Sequence, residues 1–226
     1  MKILALDTTT TSGSVALLDN ARPVGEISSE AELSHSERLL ASVDFLLKQN
    51  GLRVEDLDGF AVAAGPGSFT GIRIGLSTVK AFAYASGKPV AAVSTLEALS
   101  WKLREGAARL VAPVVDAKKG EIYSALFETG KRGLREIIPQ GAYPPDGFLS
   151  LLPSRRIIHF LGSGVRVYGD KIAAYLRDKA RFSARSTFIA AEVGMIGYEK
   201  LMKHQAVDFK ALEPIYFRKS QAEEKK

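Results

Sequence analysis

The residues whose types are best suited to bind or react with a ligand lie near the N-terminus. There Asp7 is followed by five hydroxyl-bearing residues, 8–12. Apolar runs of the strand type, residues 3–6 and 15–18, stand on either side. Backbone amides and hydroxyls in such a turn can bind phosphate oxygens, and the carboxylate can hold a hydrated metal ion. The pattern predicts a degenerate phosphate-binding hairpin at Asp7, Thr8, Thr9 and Thr10, with an ordinary Ser/Thr turn as the alternative.

A second candidate is the glycine-rich segment AAGPGSFTGIRIG, residues 63–75, between an apolar run and a helical pattern. A Walker loop requires Lys directly after its last glycine, but Ile72 follows Gly71 here. The dinucleotide fingerprint requires a glycine at the position that Thr70 occupies. The spacing therefore excludes both common phosphate loops.

The glycines of this segment instead follow a four-residue spacing, which places Gly67, Gly71 and Gly75 on one face of a helix. Glycine within a helix costs up to about 1 kcal/mol relative to alanine, so close packing must offset that cost. The neighbour could be this protein's own sheet or another chain. A polar stripe lies elsewhere on the same helix: Arg73, Ser77, Lys80 and Tyr84.

The second half of the sequence repeats the opening pattern. An apolar run at residues 110–115 ends in Asp116, and an alternating segment follows Gly120. Lys118 and Lys119 stand where a second phosphate hairpin would be rich in glycine. Gly162-Ser163-Gly164 lies where an adenosine loop could form, with a plain turn into a helix as the alternative.

Composition limits the possible classes of protein. The 226 residues include no cysteine, which excludes disulfides and thiolate metal sites, and 46% are hydrophobic. The net charge of +6 favours an anionic partner or an ordinary basic surface. No apolar run has the length of a membrane span and the N-terminus reads as a strand rather than a signal peptide, so we expect a cytoplasmic protein.

The hydrophobic periodicity predicts an α/β protein in which each half begins with a meander of three strands. We place the boundary near Gly106, giving subdomains 1–106 and 107–226, with the last helix or tail packing back on the first. Predicted helices cover residues 34–49, 70–86, 94–104, 167–179 and 189–202, and residues 143–145 are predicted to form a loop.

Five segments together resemble the bacterial TsaB (YeaZ) family of tRNA threonylcarbamoyladenosine biosynthesis proteins. The segments are ILALDTTTTSGSVAL, LSHSERLL, AAGPGSFTGIRIGLSTVKAFA, VSTLEALS and DAKKGEIYSALF. FLGSGVRVYGD and EPIYFRK match more loosely in the second half. The resemblance implies an actin-like (ASKHA, ribonuclease H-like) tandem of two subdomains, each with a mixed sheet flanked by helices.

The resemblance also implies a function without catalysis. Members pair with TsaD, which transfers a threonylcarbamoyl group to N6 of adenosine 37 in tRNAs, and the ATPase TsaE joins them. Thr95 and Leu99 stand where TsaD has two metal-ligand histidines, and neither suits a metal. His35, His159 and His204 lie on distant segments without ligand spacing.

The implied partner surface, also used for a homodimer, comprises two helices of the first subdomain. Their expected contact residues are Leu39, Leu40, Val43, Leu47, Gly71, Ile72, Gly75, Leu76 and Val79. No cofactor is required, although ATP or ADP could bind weakly at the junction with TsaD, and tRNA is contacted only through the complex.

The alternative is a phosphotransferase of the sugar-kinase type, in which Asp7 and Thr8–Thr10 hold phosphates and Asp116 acts as base or magnesium ligand.

Overall fold

The computed structural model describes residues 1–10, 12–30, 35–130 and 133–218, with the backbone alone for Ser12, Glu30 and residues 35–38. The chain divides into two units. The first comprises Met1–Ala98 and Phe188–Tyr216, and the second comprises Leu99–Thr187 with the described residues after Tyr216. This division differs from two continuous segments that meet near Gly106, because the chain returns to the first unit at Phe188.

The described residues form ten strands and six α-helices. The strands are β1 Lys2–Asp7, β2 Ser12–Asp19, β3 Arg22–Glu30, β4 Gly59–Ala63, β5 Val90–Val93, β6 Leu110–Lys118, β7 Glu121–Gly130, β8 Gly133–Tyr143, β9 Ile158–Leu161 and β10 Ala180–Phe182. The helices are α1 His35–Gln49, α2 Phe69–Ser86, α3 Thr95–Trp101, α4 Pro145–Leu151, α5 Val165–Leu176 and α6 Ala190–Met202. No helix among the described residues is long and apolar enough to cross a membrane.

Each unit contains one mixed five-stranded sheet, and the two sheets have the same topology. The first has the order β3-β2-β1-β4-β5 and the second the order β8-β7-β6-β9-β10. In both, three antiparallel strands come first and the next two add in parallel. The predicted α/β class with a repeated strand–Asp–strand opening is confirmed.

Helices cover the first sheet because its strands are apolar on both faces. α1 and α2 contribute Leu39, Val43, Leu76 and Val79 to a core that also contains residues of β1, β2 and β4. α6 packs on β1, β2, β4 and β5. Its small residues permit close contact, since a Cβ on Gly194 would overlap the side chain of Leu18.

Local signals set the ends of α2. The Ser68 hydroxyl accepts a hydrogen bond from the Gly71 amide at 3.3 Å, and Gly87 ends the helix in the left-handed region at φ 69°. Ser94 begins α3 by accepting from the amides of Leu96 and Glu97, as its capping-box spacing predicts. The corresponding prediction for Ser34 lies outside the described residues.

Two elements were not predicted. Residues 145–151 form α4 rather than a continuation of the loop, and Pro145 stands at its first position, where a missing amide hydrogen costs nothing. β10 has only three residues, which is too short for a periodic signal. α5 begins at Val165 and ends at Leu176, slightly earlier than the predicted range.

Candidate functional site

The predicted phosphate hairpin forms a tight turn directly after β1, and its carboxylate points inward. Asp7 is fully buried, and its Oδ1 accepts hydrogen bonds from the Thr9 amide at 2.9 Å and the Thr9 hydroxyl at 2.7 Å. The other oxygen, Oδ2, is buried without a hydrogen-bond partner among the described residues. Asp7 therefore organises its own turn through Oδ1.

Burial also controls the charge of this carboxyl group. Removal from water raises the pKa of Asp7 from 3.8 to about 6, although the hydrogen bonds from Thr9 act in the opposite direction. The carboxylates of Glu26 and Glu192 raise it further. Thr8 and Thr9 are buried with Asp7, whereas Thr10 is partly exposed.

Gly71 and Gly75 lie in α2 as predicted, whereas Gly67 precedes the helix, and the lack of side chains at these glycines leaves room for this turn. The Thr8 hydroxyl donates to the Gly71 carbonyl at 2.7 Å, and the Ser68 amide donates to the Thr9 carbonyl at 2.6 Å. A Cβ on Gly67 would overlap the Thr9 carbonyl oxygen, and a Cβ on Gly71 would overlap that of Thr8. The neighbour that the row requires is therefore the turn after β1 of the same chain.

The C-terminal part of the first unit approaches the same glycine segment. The Ile215 amide donates to the Ala64 carbonyl at 2.7 Å, and Gly65, at φ 115°, has no room for a side chain because the Ile215 carbonyl lies against it. Tyr216 then stacks on Phe69 with 5.0 Å between ring centroids. Arg73 lies over the Phe69 ring and donates through Nε to the Tyr216 hydroxyl at 3.2 Å.

The predicted partner surface needs correction at eight of its nine positions. The buried ones are Leu39, Val43, Leu47, Gly71, Ile72, Gly75, Leu76 and Val79. They lie in the core of the first unit, because the apolar stripes of α1 and α2 face the sheet. Leu40 is the exception, with 52% of its surface exposed.

Other side chains form the exposed faces of these two helices. On α1, Phe45 is exposed as well as Leu40. On α2, the polar stripe predicted from the sequence faces outward, with Arg73, Ser77 and Tyr84 exposed and Lys80 partly exposed. The sequence indicated which side of α2 is exposed, because the polar residues mark its outer side and the glycines its inner side.

The hairpin of the second unit repeats one hydrogen bond of the first but differs from it in backbone conformation. Asp116 Oδ1 accepts from the Lys118 amide at 2.9 Å, as Asp7 accepts from the amide two residues later. Lys118, Lys119 and Gly120 all have positive φ. The Lys118 ammonium also binds Asp116 Oδ2 at 2.8 Å, so this carboxylate is neutralised by its own hairpin.

The Gly162-Ser163-Gly164 segment lies beside the Asp116 turn, since a Cβ on Gly164 would lie 3.1 Å from the Asp116 backbone nitrogen. Gly162 packs its backbone on the Val114 carbonyl at φ 114°, and the Gly164 amide donates to the same carbonyl at 2.9 Å, so this segment is a turn into α5. His159 lies in β9 and His204 follows α6. Among the described residues, no three His, Asp or Glu side chains form a group that could hold a metal ion.

The two repeated units, each beginning with a strand–Asp–strand hairpin, define a protein of the actin-like ATPase fold. A dehydratase activator from Clostridium difficile with bound ADPNP has this fold, with a TM-score of 0.54 at 11% identity over 96% of this chain and 100% of that chain. YeaZ from Pseudomonas aeruginosa is more similar, with a TM-score of 0.82 at 28% identity over 95% of this chain and 99% of that one.

The sequence comparisons give the family. The model described as "TsaD: tRNA N6-adenosine threonylcarbamoyltransferase" matches residues 19–226. The tRNA threonylcarbamoyladenosine biosynthesis protein TsaB of Bacillus subtilis is 31% identical over 228 aligned positions, which cover 100% of this chain and 97% of that protein. The chain belongs to the TsaB family, within the wider group that the TsaD model describes.

Proposed function

We propose that this chain is a non-catalytic subunit required for the threonylcarbamoyl modification of N6 of adenosine 37 in tRNAs. It pairs with the catalytic protein TsaD and with the ATPase TsaE in the cytoplasm. The observation that carries the proposal is the match to a TsaB protein along the whole chain.

The non-catalytic role is supported by the two places where chemistry would be expected. Asp7 is buried and its Oδ1 is hydrogen-bonded within its own turn, which supports a structural role for this carboxylate. Thr95 and Leu99, which stand where TsaD is expected to have metal-ligand histidines, are also buried. In this proposal the isolated chain requires no cofactor, and ATP or ADP binds weakly at the junction with TsaD.

The exposed faces of α1 and α2 form the surface that pairs with TsaD or with a second copy of this chain. Leu40, Phe45 and Tyr84 are 52%, 58% and 77% exposed. Phe45 and Tyr84 are aromatic, and aromatic residues are enriched at protein interfaces. Substitutions at these exposed positions should leave the core of the first unit intact, whereas substitutions at the eight buried positions would disrupt it.

Light scattering of the chain with purified TsaD tests this proposal. Leu40→Glu/Tyr84→Glu should abolish the heterodimer and the modification of tRNA, because two charges would be buried at the interface. Tyr175→Glu, at a tyrosine that is 53% exposed in the second unit, is the matched control and should pair normally. A heterodimer that survives the double substitution would exclude this surface, and a wild-type chain that never pairs with TsaD would exclude the proposed role.

A further inference from the structure

The second unit contains a basic pocket that the proposed function does not use. Its volume is about 420 Å³, within the usual range for ligand sites. The lining residues are Ala107, Arg109, Arg156, Ile157, His159 and Arg181. Three arginines thus line one pocket at one end of the second sheet, and most of the surface of the pocket is apolar.

The sheet positions these arginines together. His159 of β9 pairs in register with Val111 of β6 on one side and with Arg181 of β10 on the other. Arg109 directly precedes β6, where its carbonyl accepts from the Thr129 amide at 3.0 Å, and it lines the pocket together with His159. The strand pairing fixes the positions of these residues in one group, although they are distant in sequence.

The arginine side chains of the pocket are only partly paired with other groups of the protein. The exposed side chain of Arg109 makes no hydrogen bond or ion pair among the described residues. Arg156 contacts Glu128 at 3.5 Å, but Glu128 is bound more closely by Arg135 at 2.6 Å. Arg181 donates to the carbonyls of Asp178 and Ala180, which orients its guanidinium.

His159 adds a hydrogen-bonding group rather than a charge. Its partial burial lowers the pKa of the imidazole, and the nearby Arg181 lowers it further. The ring is therefore neutral at pH 7 and can donate or accept a hydrogen bond beside the arginines.

The chemistry of the lining indicates the class of ligand. Guanidinium groups match phosphate oxygens in geometry and charge, and three of them exceed what a single carboxylate needs. The lining includes no Phe, Tyr or Trp, the side chains on which bases usually stack. The site suits a series of phosphates better than a nucleotide held by its base.

We propose that this pocket binds the phosphate backbone of an RNA strand without reading its bases. That the strand is tRNA rests on the proposed function. The net charge of +6 supports the same class of partner, since it attracts polyanions to the chain. The pocket gives this subunit a direct contact with RNA, independent of the pairing surface on α1 and α2.

Fluorescence anisotropy of a labelled tRNA transcript with the full-length chain tests the inference. Arg109→Glu/Arg181→Glu should weaken binding by at least about tenfold and lower the slope of log affinity against log salt by about two. The matched control is Arg53→Glu/Arg166→Glu, which makes the same change of charge at exposed sites outside the pocket. Equal losses in the two double variants would overturn the proposal.

Two further measurements test whether RNA binding depends on the pocket and on the phosphate backbone. Arg109→Ala removes a side chain without partners among the described residues, so it should weaken binding about threefold or more with unchanged circular dichroism. An unlabelled single-stranded RNA of unrelated sequence should compete for the pocket, whereas AMP at millimolar concentration should not. Displacement of tRNA by micromolar AMP would make this a mononucleotide site and overturn the proposal.

The inference and the proposed function can fail separately. If the pocket variants bind RNA like the control while the wild type pairs with TsaD and supports modification, the inference alone is wrong. If the wild type binds RNA through the pocket but forms no complex with TsaD, the proposed function is wrong and the RNA site stands.

Discussion

Gly71 shows how a single missing side chain determines the structure around the candidate site. A Cβ at Gly71 would overlap the carbonyl oxygen of Thr8, which belongs to the turn after β1. The Thr8 hydroxyl in turn donates to the Gly71 carbonyl. A methyl group at this position would separate α2 from the turn that contains Asp7.

We therefore expect Gly71→Ala to lower the free energy of unfolding by at least about 1–3 kcal/mol, the usual cost of overpacking. Gly169→Ala is the matched control, because Gly169 is also within a helix but its Cβ would make only ordinary contacts, the nearest at 3.7 Å. The control should be stabilised by up to about 1 kcal/mol through helix propensity. Urea unfolding measures both, and equal stability of the two variants would contradict the packing argument.

Asp7 leads to a prediction about pH. Its native pKa of about 6 lies above the ordinary 3.8, so the native state binds the proton more tightly than the unfolded chain does. This contribution to stability is complete below about pH 4 and is lost as the pH rises through 6. The shift of about two units corresponds to about 3 kcal/mol.

Asp7→Asn removes this titration while keeping a carbonyl oxygen that can accept from Thr9. Between pH 4 and pH 7, the free energy of unfolding of the wild type should fall by about 2–2.5 kcal/mol relative to that of Asp7→Asn. Urea titrations at both pH values measure the difference, in which the other titrating groups cancel. Parallel pH profiles would mean that Asp7 titrates normally in the folded protein.

Among the secondary-structure elements, α2 has two faces with opposite roles. Its glycine and apolar face contacts the sheet and the turn after β1, and its start holds the C-terminal segment through Phe69 and Arg73. Its polar face carries Arg73, Ser77 and Tyr84 outward. The sequence predicted both faces by spacing, but spacing cannot say which face meets another chain.

The contact between the C-terminal segment and α2 can be tested at Tyr216. Tyr216→Ala removes the ring contact with Phe69 and the hydrogen bond from Arg73, so we expect a loss of about 1–2 kcal/mol in the free energy of unfolding. Tyr175→Ala removes an exposed tyrosine without a ring contact among the described residues and should be nearly neutral. Thermal unfolding by circular dichroism compares the two, and equal melting temperatures would show that this contact does not contribute to stability.

Most strands and helices were predictable because each has an apolar period long enough to recognise. The exceptions have physical causes. α4 begins with prolines that also occur in loops, and β10 is held by its pairing with β9 over three residues. The turn at Asp7 was located by its residue types, but its burial depends on α2, more than sixty residues later. The basic pocket combines residues that only the strand pairing of the second sheet brings together.

At the scale of the whole chain, the two sheets repeat one topology, yet the first unit is completed by residues from the end of the sequence. α6 covers a face of the first sheet, and the Ala190 amide donates to the Ser14 hydroxyl at 3.1 Å. Lys200 donates to the Ala92 carbonyl at 2.9 Å. After α6, Leu212 enters the core to which α1 and α2 contribute.

A fragment of residues 1–106 should therefore fail to fold, because without residues 188–216 it exposes the apolar face of β1 and β4 that α6 covers. Residues 1–98 joined to 188–216 by a flexible linker of about ten residues should fold, since the linked chain retains the whole core of the first unit. Circular dichroism with thermal unfolding distinguishes them: the linked chain should melt cooperatively and the fragment should not. A cooperative transition in the fragment would show that the sheet forms without α6, and the boundary near Gly106 would then describe the folding units better.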